Sequence, residues 1–259
     1  MCQHGDSMIS VIIIAKNEEK TIQTCLESVR WADEIIVLDS GSDDKTMAIA
    51  SQYTANVYAT DWQGYGVQKD RALAYASGDW VLNLDADESV DEALRKAILV
   101  AIQSHSADAY RIPIQMIFYG KAMRYSYSPS RHVRLFKREG AQFSHDMVHE
   151  KIQLPHGARI GQLTTPITHC SFRDVSHVLY KINKYSSYTA NMRLAEGRKA
   201  SLIKTCLGAV WMFFRCYIVQ RGFLDGREGF LLALFNAQGT FYRGIKQLYP
   251  DEFRPEGVA

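Results

Sequence analysis

Residues 9–40 read ISVIIIAKNEEKTIQTCLESVRWADEIIVLDS. Two short runs, Ile9–Ala15 and Glu34–Asp39, are rich in β-branched residues and do not alternate with polar ones, which predicts strands buried on both faces of a parallel sheet. Between them Ile22, Leu26 and Val29 fall on one face of a helix predicted over residues 17–30. Strand, helix, strand is one βαβ unit. The rhythm continues, with a helix over 43–53 capped by Asp43 or Asp44, a short strand over 55–59, a helix over 68–76 closed by Ser77-Gly78, a strand Trp80–Leu84 and a helix Asp91–Gln103 carrying Leu94, Ile98 and Ile102 on its apolar side. The alternation predicts an α/β fold with a doubly wound, mostly parallel sheet. From Ala109 the pattern changes: 110–119 and 132–136 read as strands around a serine-rich loop, and 173–259 reads as helical, with aromatics throughout. The expected organisation is a ligand-binding and catalytic domain over 1–172 and a helical extension over 173–259.

A chain of 259 residues that is 47% hydrophobic and 22% charged has ordinary globular values and enough apolar surface for a full core. A net charge of +2 argues against a nucleic-acid partner held by phosphate contacts. The charge is unevenly spread, however. Residues 1–172 carry 17 Lys and Arg against 21 Asp and Glu, whereas 173–259 carry 13 against 7. Five cysteines with no CxxC pair read as reduced thiols. The N-terminus lacks the layout of a signal peptide. Lys204 and Arg215 interrupt the apolar stretch 202–219, which is not expected to span a membrane.

Ligands of such sheets sit outside the carboxyl ends of the strands. Three polar clusters fall there: Lys16-Asn17-Glu18, Asp39-Ser40-Gly41-Ser42-Asp43 and Asp85-Ala86-Asp87. Carboxylates in the first two suit the N–H of a base and the hydroxyls of a ribose. Two carboxylates on one tight turn, completed by phosphate oxygens and water, suit Mg²⁺ or Mn²⁺. Taken alone, Asp85 and Asp87 equally suit a helix start, and a strand-end Asp39 is ordinary in a turn. The coincidence of all three clusters on one sheet edge favours a ligand site. Arg131 and Arg134 lie on opposite faces of a strand, where one could meet a diphosphate or an anionic acceptor, or simply charge a sheet edge.

The stretches IIIAKNEEKTIQTCLESVRWADEIIVLDSGSDDKT and QKDRALAYASGDWVLNLDADE, with THCSFRD, KINKYS and RGFLDGREGFLLAL further on, resemble family 2 glycosyltransferases of the GT-A fold. Within these the chain is most similar to the bacterial lipopolysaccharide core β-1,4-glucosyltransferase group. The resemblance implies a nucleotide-sugar site at Ala15, Glu18, Asp39, Lys69 and Asp85, with Asp39 meeting uracil. Asp70 stands where the group usually has Asn. The resemblance further implies Asp87 as the direct metal ligand, His169 as a second metal or phosphate ligand, and Glu150 as the catalytic base of an inverting enzyme. His149 is the alternative base, with His145 and Asp146 nearby. The implied donor is UDP-glucose, and the implied acceptor is lipopolysaccharide core or another lipid-linked sugar. The implied location is cytoplasmic, peripheral at the inner face of the cytoplasmic membrane.

In the basic back half, Lys199, Lys204, Arg215, Arg221 and Arg227 are interleaved with Trp211, Phe213, Phe214, Tyr217 and Phe223. That pattern suits an anionic membrane surface held by charge, and also suits a helix packed on the preceding domain. Two other functions fit parts of the sequence. A nucleotidyltransferase would show a glycine-rich phosphate loop after the first strand, and AKNEEKT has none. A non-catalytic nucleotide-sugar or membrane binder would not need Asp39, Asp85, Asp87 and Glu150 together.

Overall fold

The computed structural model describes residues 7–126, 131–144, 151–172 and 174–250. They form two compact units. The first holds the described residues of 7–115 and 131–170, and the second holds those of 116–126 and 171–250.

The strands in chain order are β1 (Ile9–Ala15), β2 (Glu34–Asp39), β3 (Val57–Ala59), β4 (Trp80–Asp85), β5 (Glu88–Ser89), β6 (Ala109–Phe118), β7 (Lys121–Ala122), β8 (Arg131–Lys137), β9 (Gln142–Phe143), β10 (Ile152–Gln153), β11 (Ile160–Gln162) and β12 (Ile167–Phe172). The helices are α1 (Ile22–Ser28), α2 (Thr46–Ala50), α3 (Tyr65–Tyr75), α4 (Glu92–Gln103), α5 (Val175–Ala195), α6 (Leu202–Phe214) and α7 (Gly226–Leu248).

In the first unit the sheet runs β3-β2-β1-β4-β8-β6. β1, β2, β3 and β4 are parallel, and β8 is antiparallel to both its neighbours. All seven residues of β1 are buried. Val11 and Ile13 pack on one face with Ile22 and Leu26 of α1 and Leu94 and Ile98 of α4. Ile12 and Ile14 pack on the other with Ala72 and Leu73 of α3. Helices on both faces explain why the strand shows no alternation. This is the expected α/β fold of the GT-A kind, a mostly parallel sheet with flanking helices and a helical C-terminal region.

The helix expected over 17–30 is shorter, Ile22–Ser28. Asn17 has φ 57°, a left-handed conformation that starts no helix. The backbone N–H groups of Asn17, Glu18 and Glu19 donate instead to Ser42 Oγ, Thr46 Oγ1 and Asp44 Oδ2 of the next strand-helix loop.

The second unit places residues 116–126 with the C-terminal helices, so its composition differs from a simple cut at 172/173. One tie is Asp225, which is buried. Its carboxylate accepts the N–H groups of Arg124, Tyr125 and Ser126 and the hydroxyl of Ser126 at 2.7–3.1 Å. Around it Met116, Phe118 and Met123 share a core with Val178 and Leu232.

Candidate active site

The chain leaves β1 toward β2 and β3 on one side, and β4 returns to β1's other side. The crevice between the carboxyl ends of β1 and β4 is therefore the point at which the winding of the sheet reverses, where ligands of such sheets bind. Register brings the three clusters to one edge, with Ala15 opposite Asp39 and Ile14 opposite Asp85.

On the β2 side, Asp39 is fully buried. Its Oδ1 accepts the N–H groups of Gly41 (2.9 Å) and Ser42 (2.7 Å), and its Oδ2 accepts the Ser42 hydroxyl. Gly41 has φ 84°, which a Cβ would oppose. An ionised carboxylate offers about four acceptor sites, so one remains for a ligand donor. Asp39 thus shapes its own loop. The Ala15 carbonyl accepts the Ser40 N–H, and Glu18 accepts the Thr21 hydroxyl at 2.7 Å. Asp44 and Thr46, which with Ser42 stitch the two loops together, lie outside the three clusters that the sequence marks. Their signal is only a run of short hydrogen-bonding side chains.

On the β4 side the acidic turn is set in a network of charges. Asp85 Oδ1 lies 3.2 Å from Lys69 Nζ on α3, and its Oδ2 lies 3.1 Å from Arg134 on β8. Arg134 also reaches Glu88 at 2.8 Å, and Glu88 Oε2 accepts the Asp85 N–H. Burial pushes the Asp85 carboxyl up, but the Lys69 and Arg134 cations outweigh burial and hold it well below the usual carboxylate range. Burial pushes Glu88 the other way, upward, against the pull of Arg134. Arg134 is therefore not a charged sheet edge. It is buried, with its charge spent on the acidic turn. The Arg131 side chain lies outside the described residues.

Asp87 faces His169, with 3.2 Å between Oδ1 and Nε2. The pair is fixed by backbone, since β5 is antiparallel to β12, His169 is opposite Glu88, and the Cys170 N–H donates to the Asp87 carbonyl. Burial lowers the His169 pKa, but the Asp87 hydrogen bond and the surrounding carboxylates raise it above the ordinary value. Ligands about 2.1 Å from an octahedral Mg²⁺-sized ion are about 3 Å from each other, so the 3.2 Å gap suits adjacent ligands as well as a hydrogen bond. Among the described residues no group of three or more His, Cys, Asp and Glu is disposed to hold a metal. A cation bound through one or two protein ligands plus phosphate oxygens does not require one.

Asp70 turns away from Lys69, and its Oδ1 accepts the Phe143 N–H at 2.9 Å. Phe143 belongs to β9, which pairs with β10. The loop between them carries Glu150, His149, His145 and Asp146, and these four lie outside the described residues. Its flanks are paired, the Ser144 N–H donating to the Lys151 carbonyl and the Lys151 N–H to Ser144 Oγ.

A parallel sheet with carboxylates gathered at its winding reversal defines an α/β protein whose ligand crevice is acidic. The comparisons with known proteins make this specific. Residues 10–173 match the model of glycosyl transferase family 2, and the chain belongs to that family. It is 32% identical over 250 residues to an uncharacterized glycosyltransferase of Rickettsia felis, covering 92% of this chain and 88% of that one. It is 30% identical over 251 residues to the lipopolysaccharide core biosynthesis glycosyltransferase LpsC of Rhizobium meliloti, covering 92% and 91%. Among solved structures, S. aureus TarS 1–349 covers 95% of this chain and 93% of its own, at 15% identity and a TM-score of 0.49.

Proposed function

We propose that this glycosyltransferase moves a hexose, glucose from UDP-glucose, with inversion onto an inner-core sugar of lipopolysaccharide, working with Mg²⁺ or Mn²⁺ at the inner face of the cytoplasmic membrane. The observation that carries the reading is the acidic turn Asp85-Ala86-Asp87 at the winding reversal, with Asp87 held against His169 at 3.2 Å. The printed role of LpsC in lipopolysaccharide core biosynthesis supports the acceptor class.

In this reading Asp39 takes the free N–H of the base, and Glu18 lies at the ribose end of the crevice. Lys69 and Arg134 keep Asp85 ionised and fixed in place. Asp87 and His169 hold the cation, which when bound neutralises charge on the departing diphosphate. Glu150 takes the proton of the attacking hydroxyl as the new bond forms on the opposite face of the sugar. That assignment rests on the sequence resemblance.

The test is a donor screen with purified protein, truncated lipopolysaccharide core and either Mg²⁺, Mn²⁺ or chelator. Transfer from UDP-glucose alone, lost with chelator and giving an inverted linkage, is the expected outcome. Transfer from another donor, or transfer indifferent to chelator, overturns the corresponding part. Glu150→Gln should lower turnover about 10²–10⁴-fold with UDP affinity unchanged. Normal turnover in that variant with a dead His149→Ala moves the base to His149.

A further inference from the structure

α6 and the π-helical turn after it, residues 202–219, face the wrong way for a helix packed on a soluble core. The side turned to α7 is already packed: Thr205 and Cys216 are buried, a Cβ on Gly244 of α7 would collide with Thr205, and Phe213 and Tyr217 meet Phe230 of α7 edge to face. The side turned outward is apolar, with Ile203 72%, Leu207 64%, Val210 68% and Trp211 58% exposed. These positions repeat at helical spacing, so they form one stripe. Only 11% of this 18-residue segment is buried, at a mean hydropathy of 1.5. Close helix contact through small residues with large apolar ones outside is the pattern of helices in lipid.

Charge says what covers the stripe. Residues 198–221 contain Arg198, Lys199, Lys204, Arg215 and Arg221 and no Asp or Glu. A second copy of the chain would bring five like charges against five, whereas an anionic lipid surface neutralises them. Spanning is opposed by α7, which packs on α6, and by α5, which packs on α7. α5 carries Lys181, Lys184 and Arg193, and α7 carries Arg227, Glu228, Arg243 and Lys246, too many charges to be drawn across a bilayer with it.

We infer that α6 lies in the plane of one membrane leaflet, with the Ile203–Leu207–Val210–Trp211 stripe sunk among the acyl chains and Lys204 and Arg215 at the headgroups. This deepens the membrane part of the proposed function, and rests on that part alone, by naming the inserted face and making apolar burial, not charge, the main force. Its test reads no sugar transfer, so it fails or succeeds separately from the catalytic proposal.

The experiment is co-sedimentation of the full chain with phosphatidylcholine vesicles containing a minority of phosphatidylglycerol. The salt is raised from about 0.1 M to about 1 M, which shortens screening from about 10 Å to about 3 Å. Binding should weaken only severalfold. Leu207→Ser with Val210→Ser, both exposed and so compatible with folding, should lower the partition coefficient at least about tenfold at either salt. Lys204→Gln with Arg215→Gln should remove only the low-salt gain, a severalfold loss at about 0.1 M and none at about 1 M. Brominated lipids should quench Trp211, and Trp211→Phe should abolish the quenching. Three results overturn the inference: complete release at high salt, wild-type binding by the apolar double variant, or a dimer in sedimentation velocity that this variant dissociates while the wild type ignores vesicles.

Discussion

Nε2 of His169 stands 3.2 Å from Oδ1 of Asp87, and the β5–β12 pairing that aligns their backbones makes this contact part of the sheet. If the pair holds the cation, each half has a distinct signature. Asp87→Ala should abolish transfer with native far-UV circular dichroism. His169→Ala should cost about 10–100-fold in metal affinity or activity, the usual cost of losing a group that supports a metal site. Metal titrations of transfer separate the two. Normal turnover with intact metal dependence in Asp87→Ala would remove Asp87 from the metal site.

Arg134 is the cation shared by Asp85 and Glu88. Arg134→Met should leave the buried Glu88 carboxyl beside Asp85, which keeps Lys69, and destabilise the fold by up to about 3 kcal/mol. Adding Glu88→Gln should return part of the loss, because one charge of the stranded pair is gone. Urea unfolding of the two single variants and the double variant closes the cycle. Strict additivity would mean that Arg134 and Glu88 do not interact.

Asp225 predicts a pH effect as well as a mutational one. Burial opposes its charge, yet hydrogen bonds from residues 124–126 hold its pKa below the ordinary 3.8. A lowered folded-state pKa gives stabilisation that is complete above the ordinary value and lost as pH falls through the folded one. Asp225→Ala should cost about 2–4 kcal/mol, since three backbone N–H groups lose a charged acceptor. The deficit should shrink in thermal melts taken at successively lower pH below 3.8. A deficit that stays constant over that range would assign the effect to packing.

Asp39 is expected to serve both the nucleotide and the fold. The carboxylate holds Gly41 and Ser42 in their turn. Asp39→Ala should therefore lower both UDP affinity, several-fold or more, and the melting temperature, with about 1.5–3 kcal/mol attached to each charged hydrogen bond lost. Calorimetry with UDP and a melt of the same sample decide it. Affinity unchanged in a folded variant would place the base elsewhere.

Asp70 ties α3 to β9 through the Phe143 N–H. Asp70→Ala should loosen the hairpin whose loop carries Glu150, lowering turnover while leaving UDP affinity unchanged. Equal loss of both would mean that the variant disturbs Lys69, its neighbour.

The sequence by itself determined the sheet and its site edge. The uninterrupted apolar runs of β1, β2 and β4 can be satisfied only by burial on two faces, and parallel strands put all their carboxyl ends at one edge. Asp39, Asp85 and Asp87 were legible for that reason. Tertiary structure decided which charges meet. Lys69, Arg134 and His169 reach the acidic turn from α3, β8 and β12, and no local spacing encodes those pairings. It also decided that the helix starts at Ile22 and not at Asn17, because Asn17 takes a left-handed conformation and the N–H groups of 17–19 are fixed by side chains of the next loop. Residues 116–126 belong to the second unit because Met116, Phe118 and Met123 share its core and the buried Asp225 gathers the N–H groups of 124–126. The apolar run of α6 was visible in the sequence, but its direction was not. Hydrophobicity records that a face avoids water, and only packing shows whether protein already covers it.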